Sequence, residues 1–125
     1  MESGKRPPRW VPPVFAALGA ATVPWTVYLA LTLPARMTTT WVGFDLALAA
    51  LLLATAYAVH RAHRLAGALA AAACTLLLAD AWFDVTTSTG AALTEAWLTA
   101  ALVELPLAVL CAWLAAVSPG AGPVR

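Results

Sequence analysis

Long apolar runs alternate with short polar connections along this chain, and four of the runs are long enough to cross a membrane. A spanning α-helix needs roughly 20 mostly apolar residues. The runs that meet this requirement lie at about 13–33, 41–60, 65–86 and 93–117. Long parts of them lack the continuous polar face that a water-exposed amphipathic helix shows. The pattern therefore predicts four transmembrane helices.

The connections between these runs are short, with the sequences PARMTTT (34–40), RAHR (61–64) and TSTGAA (87–92). Short connections join antiparallel neighbours in helical bundles. We therefore predict an all-α, integral membrane, antiparallel four-helix bundle with up-and-down topology. Residues 1–12 and 118–125 are rich in proline and glycine. We expect them to form tails on either side of a four-helix domain that covers 13–117.

Composition supports a membrane protein, because 62% of the 125 residues are hydrophobic and only 10% are charged. A soluble domain is nearer half apolar and about a quarter charged. Clustered basic and aromatic residues, which mark a nucleic-acid interface, do not occur in the sequence. Neither do the HExxH, GxSxG or phosphate-loop motifs. We interpret Cys74 and Cys111 as small apolar residues. We expect no cofactor, no metal ion and no nucleic-acid partner.

Lysine and arginine are unequally distributed between the two ends of the predicted bundle. The N-terminal tail, the 61–64 loop and the C-terminal tail share one end, while the 34–40 connection lies at the other. The first end has six basic residues and the second has only Arg36; the six are Lys5, Arg6, Arg9, Arg61, Arg64 and Arg125. Basic residues are retained on the cytoplasmic side. We therefore expect a multi-pass plasma-membrane protein with both termini in the cytoplasm.

Five of the six acidic residues lie inside the predicted spans, at Asp45, Asp80, Asp84, Glu95 and Glu104. At about 1.5 Å per residue, Asp80 lies about 9 Å and Glu104 about 16 Å from the outer end of its span. Inserting a charged side chain at mid-bilayer costs roughly 2.5–3.5 kcal/mol. Such residues face the bundle interior or a water-filled cavity and indicate a functional site.

Helical spacing predicts which faces of the spans carry these acids. Each span has a stripe of small and polar residues spaced three or four apart: Gly19, Thr22, Thr26 and Ala30; Asp45, Ala49, Leu52 and Ala56; Ala66, Ala70, Ala73, Leu77, Asp80 and Asp84; and Trp97, Ala101, Glu104, Ala108 and Cys111. Small residues let membrane helices approach closely, and polar ones bond across the contact. We expect the four stripes to face each other. Glu95 is nine positions from Glu104, which predicts the opposite face.

The candidate ligand- or proton-binding residues are therefore Glu104, Asp80, Asp84, Asp45 and Thr26. Removal from water and neighbouring negative charge favour the protonated form of a carboxyl group. Glu104 and then Asp80 are the first candidates for that form at neutral pH. The hypothesis is a protein that binds or transports a proton or cation through these outer-half carboxyl groups.

Two alternatives remain open. The chain could be a structural or accessory subunit of a membrane complex, with lipid and another subunit or a second copy as its partners. The acids would then meet a partner's residues or bond within the bundle. A membrane-embedded enzyme with two carboxyl groups as general acid and base is the less favoured alternative.

Three segments carry a resemblance to a known group: WVGFD (41–45), LLLADAWFDV (76–85) and ELPLAVLCAW (104–113). They resemble small four-span membrane proteins of high-GC actinobacteria. The resemblance covers most of the second, third and fourth predicted spans. It implies a four-helix plasma-membrane protein and does not imply an activity.

Overall fold

The computed structural model describes residues 6–118, and four long helical spans make up nearly all of this range. The first three spans are single α-helices, α1 (Val11–Thr32), α2 (Ala35–His60) and α3 (Ala66–Thr87). The fourth consists of α4 (Ala91–Thr99), a π-helical turn (Ala100–Glu104) and α5 (Leu105–Val117). All four spans are long and apolar enough to cross a membrane. The predicted all-α, four-helix integral membrane fold is confirmed.

The first connection is shorter than the sequence pattern indicates, because residues 35–40 form the beginning of α2 rather than a loop. Pro34 directly precedes the helix, and its carbonyl accepts hydrogen bonds from the backbone N–H groups of Met37 and Thr38. The Thr38 hydroxyl donates to the same carbonyl over 3.1 Å. A threonine hydroxyl that bonds within its own helix remains compatible with helical structure. The polar run MTTT therefore extends α2.

Two ends of the bundle can now be distinguished. We call the end with the turns at 33–34 and 88–90 the acidic end, because the intramembrane acids lie in the half of the bundle next to it. The opposite end, with the 61–65 loop, is the basic end. It carries exposed Arg6, Arg9, Arg61 and Arg64, whereas Arg36 lies at the acidic end. Lys5 and Arg125, which the orientation argument also uses, lie outside the described residues.

The helices form two hairpins, one of α1 with α2 and the other of α3 with the fourth span, and α2 contacts α3 between them. Small residues allow the close approaches. A Cβ atom placed on Gly19 would lie 3.3 Å from the Ala49 carbonyl oxygen of α2, and one on Gly67 would lie 3.4 Å from the Ala115 carbonyl oxygen of α5. Between α1 and the fourth span, within residues 11–117, no two Cα atoms lie within 8 Å. The bundle is therefore wider on this side.

The apolar core occupies the centre of the bundle and the half next to the basic end. Its buried side chains come from all four spans: Val11, Phe15, Leu48, Leu52, Ala56, Ala70, Ala73, Leu77, Leu107, Ala108, Cys111 and Leu114. The predicted stripe of α2 is buried along its whole length, and that of α3 is buried from Ala66 to Leu77. Both buried acids, Asp45 and Glu104, lie outside this apolar cluster, while the buried polar residues of the basic half are Thr55 and Ser118.

The predicted stripe of the fourth span is wrong above Glu104. Trp97 is 58% exposed and Ala101 is also exposed, while Ala96 and Ala100 are buried instead. The reason is the π-helical turn, in which the Leu105 N–H donates to the Ala100 carbonyl five residues back. A π turn accommodates one more residue than an α turn. The buried face above Glu104 therefore shifts by one residue along the chain.

The position of this turn follows from Pro106. Proline has no backbone N–H, and its ring clashes with the carbonyl four residues earlier, which here belongs to Leu102. The π turn ends at Glu104, two residues before Pro106. π turns are rare overall, and those that occur are often at functional sites. In this chain the turn carries the deepest acid of the bundle.

Candidate functional site

An open cavity of about 720 Å³ lies between the helices at the acidic end, and we call it the vestibule. All four spans contribute to its walls. Apolar and aromatic side chains come mainly from the first hairpin, and hydroxyl groups come from the end of α3, its turn and α4. The lining residues are Trp25, Leu29, Leu33, Met37, Trp41, Asp45, Asp80, Asp84, Thr87, Ser88, Thr89, Ala92, Glu95, Ala96, Thr99 and Glu104. Its size is within the range of small-molecule binding sites.

The vestibule is acidic. All five acids of the spans border it, and no lysine, arginine or histidine of the described chain is among its lining residues. A cavity lined by one sign of charge between low-dielectric walls concentrates the opposite charge. The sequence predicted an acidic layer with a single nearby cation, Arg36. The structure brings the acids to one cavity and leaves Arg36 outside its lining.

Three of these acids form a compact group, which we call the carboxylate triad: Asp80, Asp84 and Glu104. One oxygen from each carboxyl group lies within 4.8 Å of the other two. Asp80 and Asp84 are four residues apart on α3 and share one face of the helix. Glu104 reaches them from the π turn of the facing fourth span. The triad is thus assembled from both helical arms of the second hairpin, α3 and the fourth span.

Two buried carboxyl oxygens have no hydrogen-bond partner in the described part of the chain: Oδ2 of Asp45 and Oε2 of Glu104. These two residues are only 6% and 5% exposed. Buried polar atoms are nearly always hydrogen-bonded, and each exception needs an explanation. Both residues also line the vestibule. A water molecule, a proton on the carboxyl group or a cation would each satisfy such an oxygen.

Thr26 is the candidate residue that the structure leaves outside the vestibule lining. Its side chain is 4% exposed, and its hydroxyl donates to the Thr22 carbonyl over 2.7 Å. Thr22 likewise donates to Leu18. Threonine in a helix commonly bonds to the carbonyl four residues earlier. These hydroxyls therefore satisfy their own helix and do not supply the acids with a donor.

Glu95 takes a different place from the one predicted for it. It is exposed and borders the vestibule, whereas its nine-residue separation from Glu104 predicts the opposite face of a regular helix. The π turn between the two residues changes their relative direction. Glu95 therefore adds a fifth carboxyl group to the vestibule.

Hydroxyl groups and tryptophans also line the vestibule, and the sequence pattern did not predict them there. Thr87, Ser88 and Thr89 follow Asp84 in the chain and line the cavity where α3 ends. The hydroxyl-rich run TTST (86–89), which begins two residues after Asp84, was an available signal. Trp25 and Trp41 carried no such signal, because tryptophans are common near the ends of membrane helices.

The donor set of the vestibule consists of oxygen atoms. His60 lies at the basic end, and Cys111 lies in the core. Carboxylate and hydroxyl oxygens suit hard cations, whereas imidazole and thiolate suit softer transition metals. Comparison with family models, with curated proteins and with solved structures gave no match.

Proposed function

We propose that this integral membrane protein binds a cation in the vestibule, in competition with protons on the vestibule's carboxyl groups. The observation that carries the proposal is the pair of unpartnered oxygens on Asp45 and Glu104, buried in an acidic cavity. Intramembrane acids usually pair with basic groups or line ion pathways. The vestibule has the acids without a basic lining residue. An external cation or a proton then supplies the compensating charge.

Competition follows from the geometry of the triad. Three carboxyl groups with oxygens within 4.8 Å of each other repel strongly when all are ionised. A bound proton and a bound cation each relieve this repulsion. The two therefore exclude each other at the same oxygens, and cation binding releases protons.

The orientation of the site follows from the basic end. Arg6, Arg9, Arg61 and Arg64 are exposed there, and the positive-inside rule assigns such an end to the cytoplasm. We propose that the protein lies in the plasma membrane with this end inside. The vestibule then opens to the external side and samples the cations and the pH outside the cell.

Binding rather than continuous conduction is the function that this geometry favours. Leu52, Leu77, Leu107 and Leu114 are buried in the core on the basic-end side of the triad. Thr55 is also buried in this half, and its hydroxyl donates to the Leu51 carbonyl of its own helix. Transport would require a second conformation that opens the core, and the π turn beside Pro106 is the irregular point in the fourth span.

The test is proton release on cation binding by purified protein in lipid nanodiscs, in weak buffer at pH 7. Sodium, potassium, calcium, magnesium, guanidinium and tetraethylammonium chlorides are titrated separately. We expect at least one cation to cause saturable proton release from the wild type. The double variant Asp80→Asn, Glu104→Gln should lose it. Glu95→Gln, which removes one charge outside the triad, should reduce it less. The proposal is wrong if no cation of the set binds or releases protons.

A second candidate function, an accessory subunit, has one observation in its favour. Because no Cα atom of α1 lies within 8 Å of the fourth span within residues 11–117, the bundle has room for another helix on this side. We propose a membrane subunit or a second copy of the chain as its occupant in that case. Native mass spectrometry after mild extraction should then show a stoichiometric complex, and a monomer alone would contradict it.

A further inference from the structure

We infer that the cation is a hard divalent ion of about calcium size, held directly by the carboxylate triad of Asp80, Asp84 and Glu104. This inference rests on the proposed function and specifies its ligand. It departs from the expectation of a metal-free chain, because the sequence placed the three acids on facing stripes without showing how closely they converge.

The spacing of the three carboxyl groups fits a single ion. The three carboxyl oxygens lie within 4.8 Å of one another. Calcium binds oxygen ligands at about 2.3–2.6 Å, so two ligands on opposite sides of the ion lie about 4.6–5.2 Å apart and adjacent ones lie closer. One ion can therefore contact all three groups.

The unpartnered oxygen of Glu104 also indicates a bound ion. Its residue is 5% exposed, and Oε2 has no hydrogen-bond partner among the described residues. Bidentate carboxylates are common calcium ligands. An ion bound by Glu104 would supply the partner that this oxygen lacks. This observation is independent of the number of acids in the cluster.

The side chains that line the vestibule favour a hard cation. The lining of the vestibule offers carboxylate and hydroxyl oxygens, and it includes neither histidine nor cysteine. Such a set favours calcium, magnesium or manganese over zinc or copper. Calcium takes six to eight oxygen ligands in flexible geometry, and the three side chains supply three of them, or four if Glu104 is bidentate. The open vestibule has room for the waters that complete the shell.

Charge balance favours a divalent ion over a monovalent one. Three ionised carboxyl groups carry three negative charges, and a divalent ion leaves one uncompensated. A monovalent ion would leave two, so it relieves less of the repulsion between the neighbouring carboxylates.

The experiment is isothermal titration calorimetry of metal-free protein in nanodiscs with calcium chloride, alongside magnesium, zinc and tetraethylammonium chlorides. We expect calcium to bind with one site per chain and more tightly than zinc or tetraethylammonium. Mutations around metal ligands commonly weaken binding by about 10–100-fold. Asp80→Asn, Asp84→Asn and Glu104→Gln should each lower the calcium affinity by at least about tenfold on this basis.

The decisive variant is Glu104→Asp, which keeps the charge and withdraws the carboxyl group by about one carbon–carbon bond, ~1.5 Å. Direct coordination predicts a loss of calcium affinity close to that of Glu104→Gln. Diffuse electrostatic attraction predicts almost none. Glu95→Gln is the matched comparison, because it removes one vestibule charge outside the triad and should weaken calcium binding much less. Circular dichroism and size-exclusion chromatography verify that each variant folds. If an amide variant does not fold, Glu104→Asp is the variant that tests direct coordination.

The possible results separate the two proposals. If tetraethylammonium or a monovalent ion binds and calcium does not, the divalent site is wrong while the proposed cation binding stands. If Glu104→Asp binds calcium as the wild type does, or Glu95→Gln weakens it as much as Asp84→Asn, direct coordination by the triad is wrong. If no cation binds at all, both proposals are wrong.

Discussion

Replacing Gly19 by alanine tests the close packing of α1 on α2, which supports one wall of the vestibule. A Cβ atom at this position would lie 2.9 Å from Leu53 Cγ and 3.3 Å from the Ala49 carbonyl oxygen. The first distance is too short for a stable carbon–carbon contact, so atoms must move. Leu53 is partly exposed and can shift outward, but the Ala49 carbonyl belongs to the backbone of α2. The added methyl group therefore pushes the two helices apart.

The expected magnitude is the difference between two opposing effects. Overpacking a tight contact costs typically about 1–3 kcal/mol, and the freedom of Leu53 places this site in the lower part of that range. Alanine also stabilises a helix by roughly 0.5–1 kcal/mol relative to glycine. Gly43 of α2 is the matched control, because a Cβ atom there meets nothing within 4 Å. Gly43→Ala should show the helix effect alone.

The assay is the free energy of unfolding of both variants in mixed micelles, with helicity followed by circular dichroism. We expect Gly19→Ala to be less stable than Gly43→Ala by about 1–2 kcal/mol, since the helix term cancels between them. Cation affinity should also fall in Gly19→Ala, because α1 places Trp25 and Leu29 in the vestibule wall. Equal stabilities for the two variants would refute the close α1–α2 contact.

Three further predictions concern the acidic end, the π turn and the orientation. Gly90 has φ +61° and ψ −134°, a backbone conformation that is strained for other residues, so Gly90→Ala should lower the unfolding free energy by about 1–3 kcal/mol. Deleting Ala101 should convert the π turn to regular α-helix, and circular dichroism should show that the bundle remains folded. Deleting Ala112 in α5 should rotate part of the buried face of the fourth span out of the core, and circular dichroism should then show that the bundle unfolds. In intact cells, a membrane-impermeant thiol reagent should label Thr89→Cys and not His60→Cys; the reverse pattern would contradict the proposed orientation.

The fold could be predicted from the sequence because membrane spans leave a strong local signal. Four runs of sufficient length and three short connections determine an antiparallel arrangement almost completely. The polar stripes then indicated the inward faces of α2 and α3 correctly, since a regular helix preserves the spacing of three and four residues. These two helices have no internal proline.

The fourth span could not be predicted in the same way, because its π turn breaks that regularity. Pro106 indicated a local disturbance, but proline produces kinks as well as π turns. The one-residue shift placed Ala96 inside where Trp97 was expected, and it brought Glu95 to the vestibule. The spacing of residues in the sequence does not distinguish a kink from a π turn.

The site itself was predicted as a layer and not as a cavity. Depth along each span follows from the rise per residue, so the acids could be assigned to one half of the bilayer. Their convergence depends on the distance and rotation between helices, which the spacing within one helix does not determine. The triad and the unpartnered oxygens of Asp45 and Glu104 therefore became visible only in the structure.

The central claim is that protons and a cation compete for the vestibule's carboxyl groups. Infrared difference spectroscopy of the protein in nanodiscs measures this directly, because protonated and ionised carboxyl groups absorb in separate regions. Calcium added at pH 7 should diminish the protonated carboxyl band and increase the carboxylate bands in the wild type. The change should be smaller in Glu104→Gln. Identical spectra before and after every cation of the titrated set would contradict the account.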